Sequence, residues 1–162
     1  MTLEEQVEKL KEKIELMKRC YYKGFLNTLC AISASAEMYV SCPEERRKHH
    51  ILEMLEDIEK FYESMPFDQL DSNSDFAPLF AVRDLLPEYA ENVRRLIDEP
   101  RKELKAGMMS TAIEIGKAGE VYRTNFKRTI NELKQIPGYE DFHVVLTDYK
   151  GRKCVMGKEA KK

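Results

Sequence analysis

The chain has 162 residues, 43% of them hydrophobic and 35% charged, with a formal net charge of −2 at pH 7. That is the size of one ordinary domain, with enough apolar content to bury a core without disulfide or metal staples. The balance of 27 Lys and Arg against 29 Asp and Glu lacks the cationic excess of a dedicated nucleic-acid binder, which leaves phosphate recognition to local clusters.

Cys20, Cys30, Cys42 and Cys154 are widely spaced, with no CxxC and no Cys/His pair at zinc-finger spacing, and read as reduced thiols. The N-terminus has no signal-peptide core, and no charge-free apolar run reaches the roughly 18–20 residues of a membrane span. The expectation is a cytoplasmic protein without membrane association.

Leu3, Val7, Leu10, Ile14, Met17, Tyr21 and Gly24 alternate at spacings of four and three, with Glu and Lys between them. This is about three heptads of amphipathic helix in search of a partner. Thr2 with Glu5 forms a capping box. No proline follows before Pro43, which predicts one helix of some forty residues, about 60 Å long. Its first half, to about Arg19, is charged on every side but one and projects. Its second half, GFLNTLCAISASAEMYV, is apolar or small almost all round and should be buried.

Ser41 or Cys42 then caps a second helix with Pro43 at its first position and Glu44 and Glu45 toward its positive end. Ile51, Leu55, Ile58, Tyr62 and Met65 form the inward stripe of that helix. The polar run DQLDSNSD is a loop, after which Asp75 caps a short apolar helix with Pro78 in its first turn. Pro87 starts or kinks the next helix, which turns Tyr89, Val93, Leu96 and Ile97 inward.

Pro100 opens a long last helix, which runs to about Ile136 and stops at Pro137 and Gly138. Gly107, Gly116 and Gly119 each cost this helix about 1 kcal/mol relative to alanine, which predicts close approach of another backbone. The small-residue run Ala31, Ser33, Ala34, Ser35, Ala36 is the expected neighbour. Beyond it the period changes: residues 142–146 and 153–156 read as two strands, with Gly151 in the left-handed position of the turn and the tail KEAKK frayed. A two-stranded hairpin is marginal alone and must lie on the helices, a second copy or another protein.

The predicted fold is all-α: a bundle of about five helices with long first and last members and a small C-terminal β-hairpin. One domain spans 1–162, with 1–24 as a projecting coiled-coil segment and 139–162 as hairpin and basic tail.

The densest chemical constellation is His49, His50, Glu53, Glu56 and Asp57, at i, i+3 and i+4 spacings able to gather imidazole and carboxylate around a metal. Di-iron bundles and all-α hydrolases need a second half-site on a facing helix, and none is apparent. Arg46, Arg47 and Lys48 precede those histidines, and Arg94 and Arg95, Arg101 to Lys105, and Arg123 to Lys134 supply further cations. Two such groups meeting on one face would bind RNA, DNA or another polyanion. No phosphate-loop, dinucleotide, zinc-protease or nucleophile-elbow motif occurs, so nothing specifies an enzyme or a cofactor.

The sequence therefore favours a helical interaction or regulatory module that associates with a second copy or a partner protein through Val7, Leu10, Ile14, Met17 and Tyr21. The alternatives are a polyanion binder using Arg46, Arg47, Lys48, Arg94 and Arg95, and a metal-dependent hydrolase on the second helix at His49, His50, Glu53 and Asp57. A seam open to a partner requires the heptad stripe to be exposed, whereas a seam within one chain requires it to be buried.

Overall fold

A computed structural model of the chain describes residues 1–147 and 152–157. Five helices precede a hairpin: α1 (Leu3–Arg19), α2 (Phe25–Ser41), α3 (Glu45–Glu63), α4 (Ala77–Asp98) and α5 (Lys102–Lys134), then β1 (Val144–Thr147) and β2 (Lys153–Met156). A short 3-10 turn, Phe67–Gln69, lies between α3 and α4. The fold is the expected all-α bundle with a small β-hairpin.

Three boundaries differ from the sequence reading. The forty-residue first helix is two helices: α1 ends at Arg19 with Cys20 as its C-cap, and Gly24, at a left-handed φ of 84°, is the N-cap of α2. The chain restarts at once, with the Thr28 amide and hydroxyl both donating to the Gly24 carbonyl at 2.8 and 3.0 Å. α3 begins at Glu45 rather than Pro43, because Glu44 is extended at φ −124° and ψ 138° and acts as the N-cap. α4 is continuous through Pro87. The missing Pro87 amide deprives the Arg83 carbonyl of its helical donor, but both residues are exposed, where solvent takes the place of that bond.

The chain groups into two compact units, one of Gly24–Glu120 and one of Met1–Lys23 with the residues from Val121 onward. In the first, α2 packs on α3 and α4, and α3 on α4. Its core holds Ile32, Ile51, Leu55, Ile58, Val82, Tyr89, Val93, Leu96, Met108 and Ile115, all essentially without solvent contact. The Tyr39 hydroxyl, buried with this core, donates to the Ile97 carbonyl at 3.1 Å.

The glycines of α5 are approached, though not by the small-residue run. A Cβ at Gly119 would lie 3.1 Å from the Phe25 ring, and one at Gly116 would lie 3.7 Å from Leu26, whereas nothing comes within 4 Å of one at Gly107. Large side chains of the first turn of α2 fill the space, so the predicted backbone crossing at Ala31–Ala36 does not occur there.

In the second unit, Tyr122 of α5 donates its hydroxyl to the Met17 carbonyl at 2.7 Å, and Tyr21 stacks on Phe126 with centroids 5.4 Å apart. The hairpin is antiparallel with Val144 opposite Met156 and Val145 opposite Val155. Alternation turns Val144, Leu146 and Met156 inward and leaves Val145 and Val155 exposed. Lys134 closes the unit by donating to the Gly157 carbonyl. The expected Gly151 turn and the KEAKK tail lie outside the described residues.

Candidate functional site

The heptad stripe lies largely inside its own unit. Val7, Ile14 and Met17 are buried, Ile14 at 1% exposure, while Leu10 and Tyr21 are half-buried. Its apolar edge is met by residues of the same chain: Tyr122 bonds Met17, and Tyr21 lies on Phe126. As a seam for a second copy, the stripe would first have to leave these contacts. Residues 1–23 group with the chain from Val121 onward.

The cationic groups are mostly neutralised. Arg94 makes a two-pronged pair with Glu59 at 3.1 and 2.5 Å, and this bond with the Glu59 charge raises the Arg94 pKa. Glu59 lies some twelve residues along α3 from Arg47, about 18 Å of helix, so Arg94 does not join Arg46 and Arg47. Lys48 pairs with Glu45, Arg101 with Glu99 and Lys105 with Glu37. Arg95 is exposed on α4. Arg46 and Arg47 make no ion pair among the described residues, and with His50 and Glu44 they line an open cavity of about 420 Å³.

His49, His50 and Glu53 are exposed and Asp57 is half-buried. His49 is 3.8 Å from Glu45. Among the described residues no group of three or more His, Cys, Asp and Glu is placed to hold a metal ion. No helix of the described chain is long and apolar enough to cross a membrane.

The outer sides of α2 and of the first part of α5 are poor in charge. Phe25–Ser41 contains a single charge, Glu37, and residues 106–113 of α5 contain none, in a chain that is otherwise 35% charged. The two stretches are neighbours. Glu37 reaches Lys105 at 3.3 Å, and Leu26 lies against Gly116, so α2 and α5 run antiparallel in a register that sets Cys30 and Ala34 beside Met109 and Ile113.

On α2 the outward positions are Asn27, Cys30, Ala34, Met38 and Ser41, spaced by three and four, and all are exposed. On α5 they are Ala106 and Ile113, with half-buried Met109 between them. Met38 and Ile113 are each 54% exposed. The Lys105–Glu37 pair lies within this stretch, between Ala34 and Met38 of α2, and Lys117 pairs with Glu114 just beyond Ile113.

Protein-family models, curated proteins and solved structures offer no match to this chain. The geometry of its own surface therefore carries the functional reading.

Sequence reasoning assigned all of α2 to the interior. The structure buries Phe25, Leu29, Ile32, Ala36 and Tyr39 and leaves Asn27, Cys30, Ala34, Glu37, Met38 and Ser41 in solvent. The signal that could have found the face was present: a helix apolar all round needs cover all round, and the second charge-free run at 106–113 is what the register sets alongside it.

Proposed function

We propose that this protein is a helical interaction module that binds another protein through the outer face of α2 and α5. The observation that carries the reading is the low charge of α2, which holds only Glu37, and of residues 106–113 of α5, which hold none, with Met38 and Ile113 more than half exposed. Burying such side chains is worth about 25 cal/mol per Å² of apolar area. The four free thiols, two of them exposed, suit a reducing compartment such as the cytoplasm.

Panning a peptide library on the wild type and on a Met38→Asp/Ile113→Asp variant tests this directly. Binders enriched on the wild type should lose the variant. Equal enrichment on both proteins would remove the face from the account.

A second reading attaches to Arg46, Arg47 and His50. Two arginines without carboxylate partners beside one cavity are suited to a phosphate-bearing polyanion. Its test is salt-sensitive retention on immobilised heparin that disappears in Arg46→Ala/Arg47→Ala, and retention unchanged by that substitution would reject it.

A further inference from the structure

We infer that the open cavity between α3, the 3-10 turn and the middle of α4 binds a small organic monocation, a primary ammonium group joined to an apolar body. The site shares no residue with the α2–α5 face and stands apart from the docking reading. Its volume is about 360 Å³, within the range of small-molecule sites, and it lies wholly inside the Gly24–Glu120 unit.

Charge sets the sign of the ligand. Three charged side chains line the cavity: Glu59, Glu63 and Arg83. The Glu59 carboxylate is taken up by the two-pronged bond from Arg94. The Arg83 guanidinium lies 4.8 Å from both the Phe67 and Phe80 rings, and its Nε donates to Asp84 at 3.2 Å. Glu63 is left. It is exposed and makes no ion pair or hydrogen bond among the described residues, so the lining carries one uncompensated negative charge.

A second acceptor comes from the backbone. A helical carbonyl points toward the amide four residues on, and for Arg83 that residue is Pro87, which has no N–H to give. Pro87 itself lines the cavity, so the α4 wall offers a carbonyl without its helical donor while the α3 wall offers Glu63. An ammonium group has three donors and no acceptor, which suits both. An anion would meet Glu63 with the lining cation already stacked and paired. Buried Tyr62 and Leu86, with the Pro87 ring, supply apolar lining for the body of the ligand. The edge-to-face pair of Phe67 and Phe80, 5.1 Å between centroids, holds the Arg83 side of the cavity in place before anything binds.

The probe is 4-phenylbutylamine, titrated into the whole protein at pH 7 and followed by backbone amide shifts, beside the neutral 4-phenylbutanol of the same shape. Saturable changes are expected at Glu63, Phe67 and Leu86, with a Kd in the millimolar range for so small a ligand and binding at least about fivefold weaker for the alcohol. Glu63→Gln sits on the surface and should leave the circular dichroism unchanged, yet weaken the amine about fivefold and the alcohol hardly at all. Pro87→Ala returns a donor to the Arg83 carbonyl and should weaken the amine about threefold. Equal affinity for amine and alcohol, amine binding untouched by Glu63→Gln, or no binding of the amine overturns the site. Acetyl-Lys-Phe-amide carries the same cation and ring on a peptide backbone. Binding of the free amine alone supports the site with a free small molecule as its source, and binding of both supports it with a lysine side chain as the source.

Discussion

α1 and the outer side of α2 exchange the roles that their patterns suggest. α1 carries the sharpest periodicity in the chain, and its stripe is covered by the chain's own residues, including a hydrogen bond from Tyr122 to Met17. α2 is apolar or small on most sides, and six of its seventeen residues are exposed. A strong amphipathic stripe shows that one side of a helix needs cover, and intramolecular cover is enough. A helix without a polar side keeps one face in need of cover after folding is complete, and that remaining face is the more informative sign of a partner.

The largest expected effect separates the two regions by the same chemical change. Ile14→Asp puts a carboxylate into a buried site and should lower stability by several kcal/mol, about 3–5. Ile113→Asp should stay within about 0.5 kcal/mol of the wild type. Urea denaturation followed by circular dichroism measures both, and equal losses would erase the distinction.

Next comes Gly157→Ala, in the unit that α1 belongs to. Its φ of 92° is strained for any L side chain, and the added Cβ would meet the stiff Ile130 side chain at 2.7 Å. Positive φ costs about 1–2 kcal/mol and overpacking about 1–3, so a loss of roughly 2–4 kcal/mol is expected in the same assay.

A pH effect of similar or smaller size should arise at Cys20. Burial pushes this thiol up to about 11, against the lowering influence of Arg19. The unfolded chain then loses the proton at lower pH than the folded one, so stability is fully present below about pH 9 and falls as pH rises toward 11. At about 1.4 kcal/mol per pH unit, the loss approaches 2–3 kcal/mol. Thermal melts between pH 8 and 11 should be flatter for Cys20→Ala than for the wild type, and parallel curves would contradict the assignment.

The smallest effect runs the other way. Gly107 has open space where its Cβ would lie, so Gly107→Ala should stabilise by about 1 kcal/mol through helix propensity alone. Gly119→Ala crowds Phe25 and should fall short of that gain or reverse it.

The helices themselves were legible in the residues that punctuate them. Thr2 accepts from the Glu5 amide as a cap, and the inward stripes of α3 and α4 are the ones that spacing indicates. The break after Arg19 was missed because no proline marks it, and the positive φ of Gly24 at the start of α2 is not announced by its local sequence. Pro87 misled in the opposite sense, since a proline whose lost hydrogen bond faces solvent is compatible with a continuous helix. Of the candidate site, Arg46 and Arg47 kept their place as unpaired cations, while Arg94 went to Glu59, a partner two helices share only in three dimensions. The α2–α5 face required the antiparallel register of two segments some eighty residues apart, which no local pattern in either one contains.

Backbone amide shifts recorded while a library peptide enriched on the wild type is titrated into the whole protein test the central claim most directly. The account predicts saturable changes gathered at Cys30, Ala34, Met38, Ala106, Met109 and Ile113. Changes centred instead on Arg46, Arg47 and His50, on the Val145–Val155 face of the hairpin, or on the α1 stripe around Ile14 would contradict it.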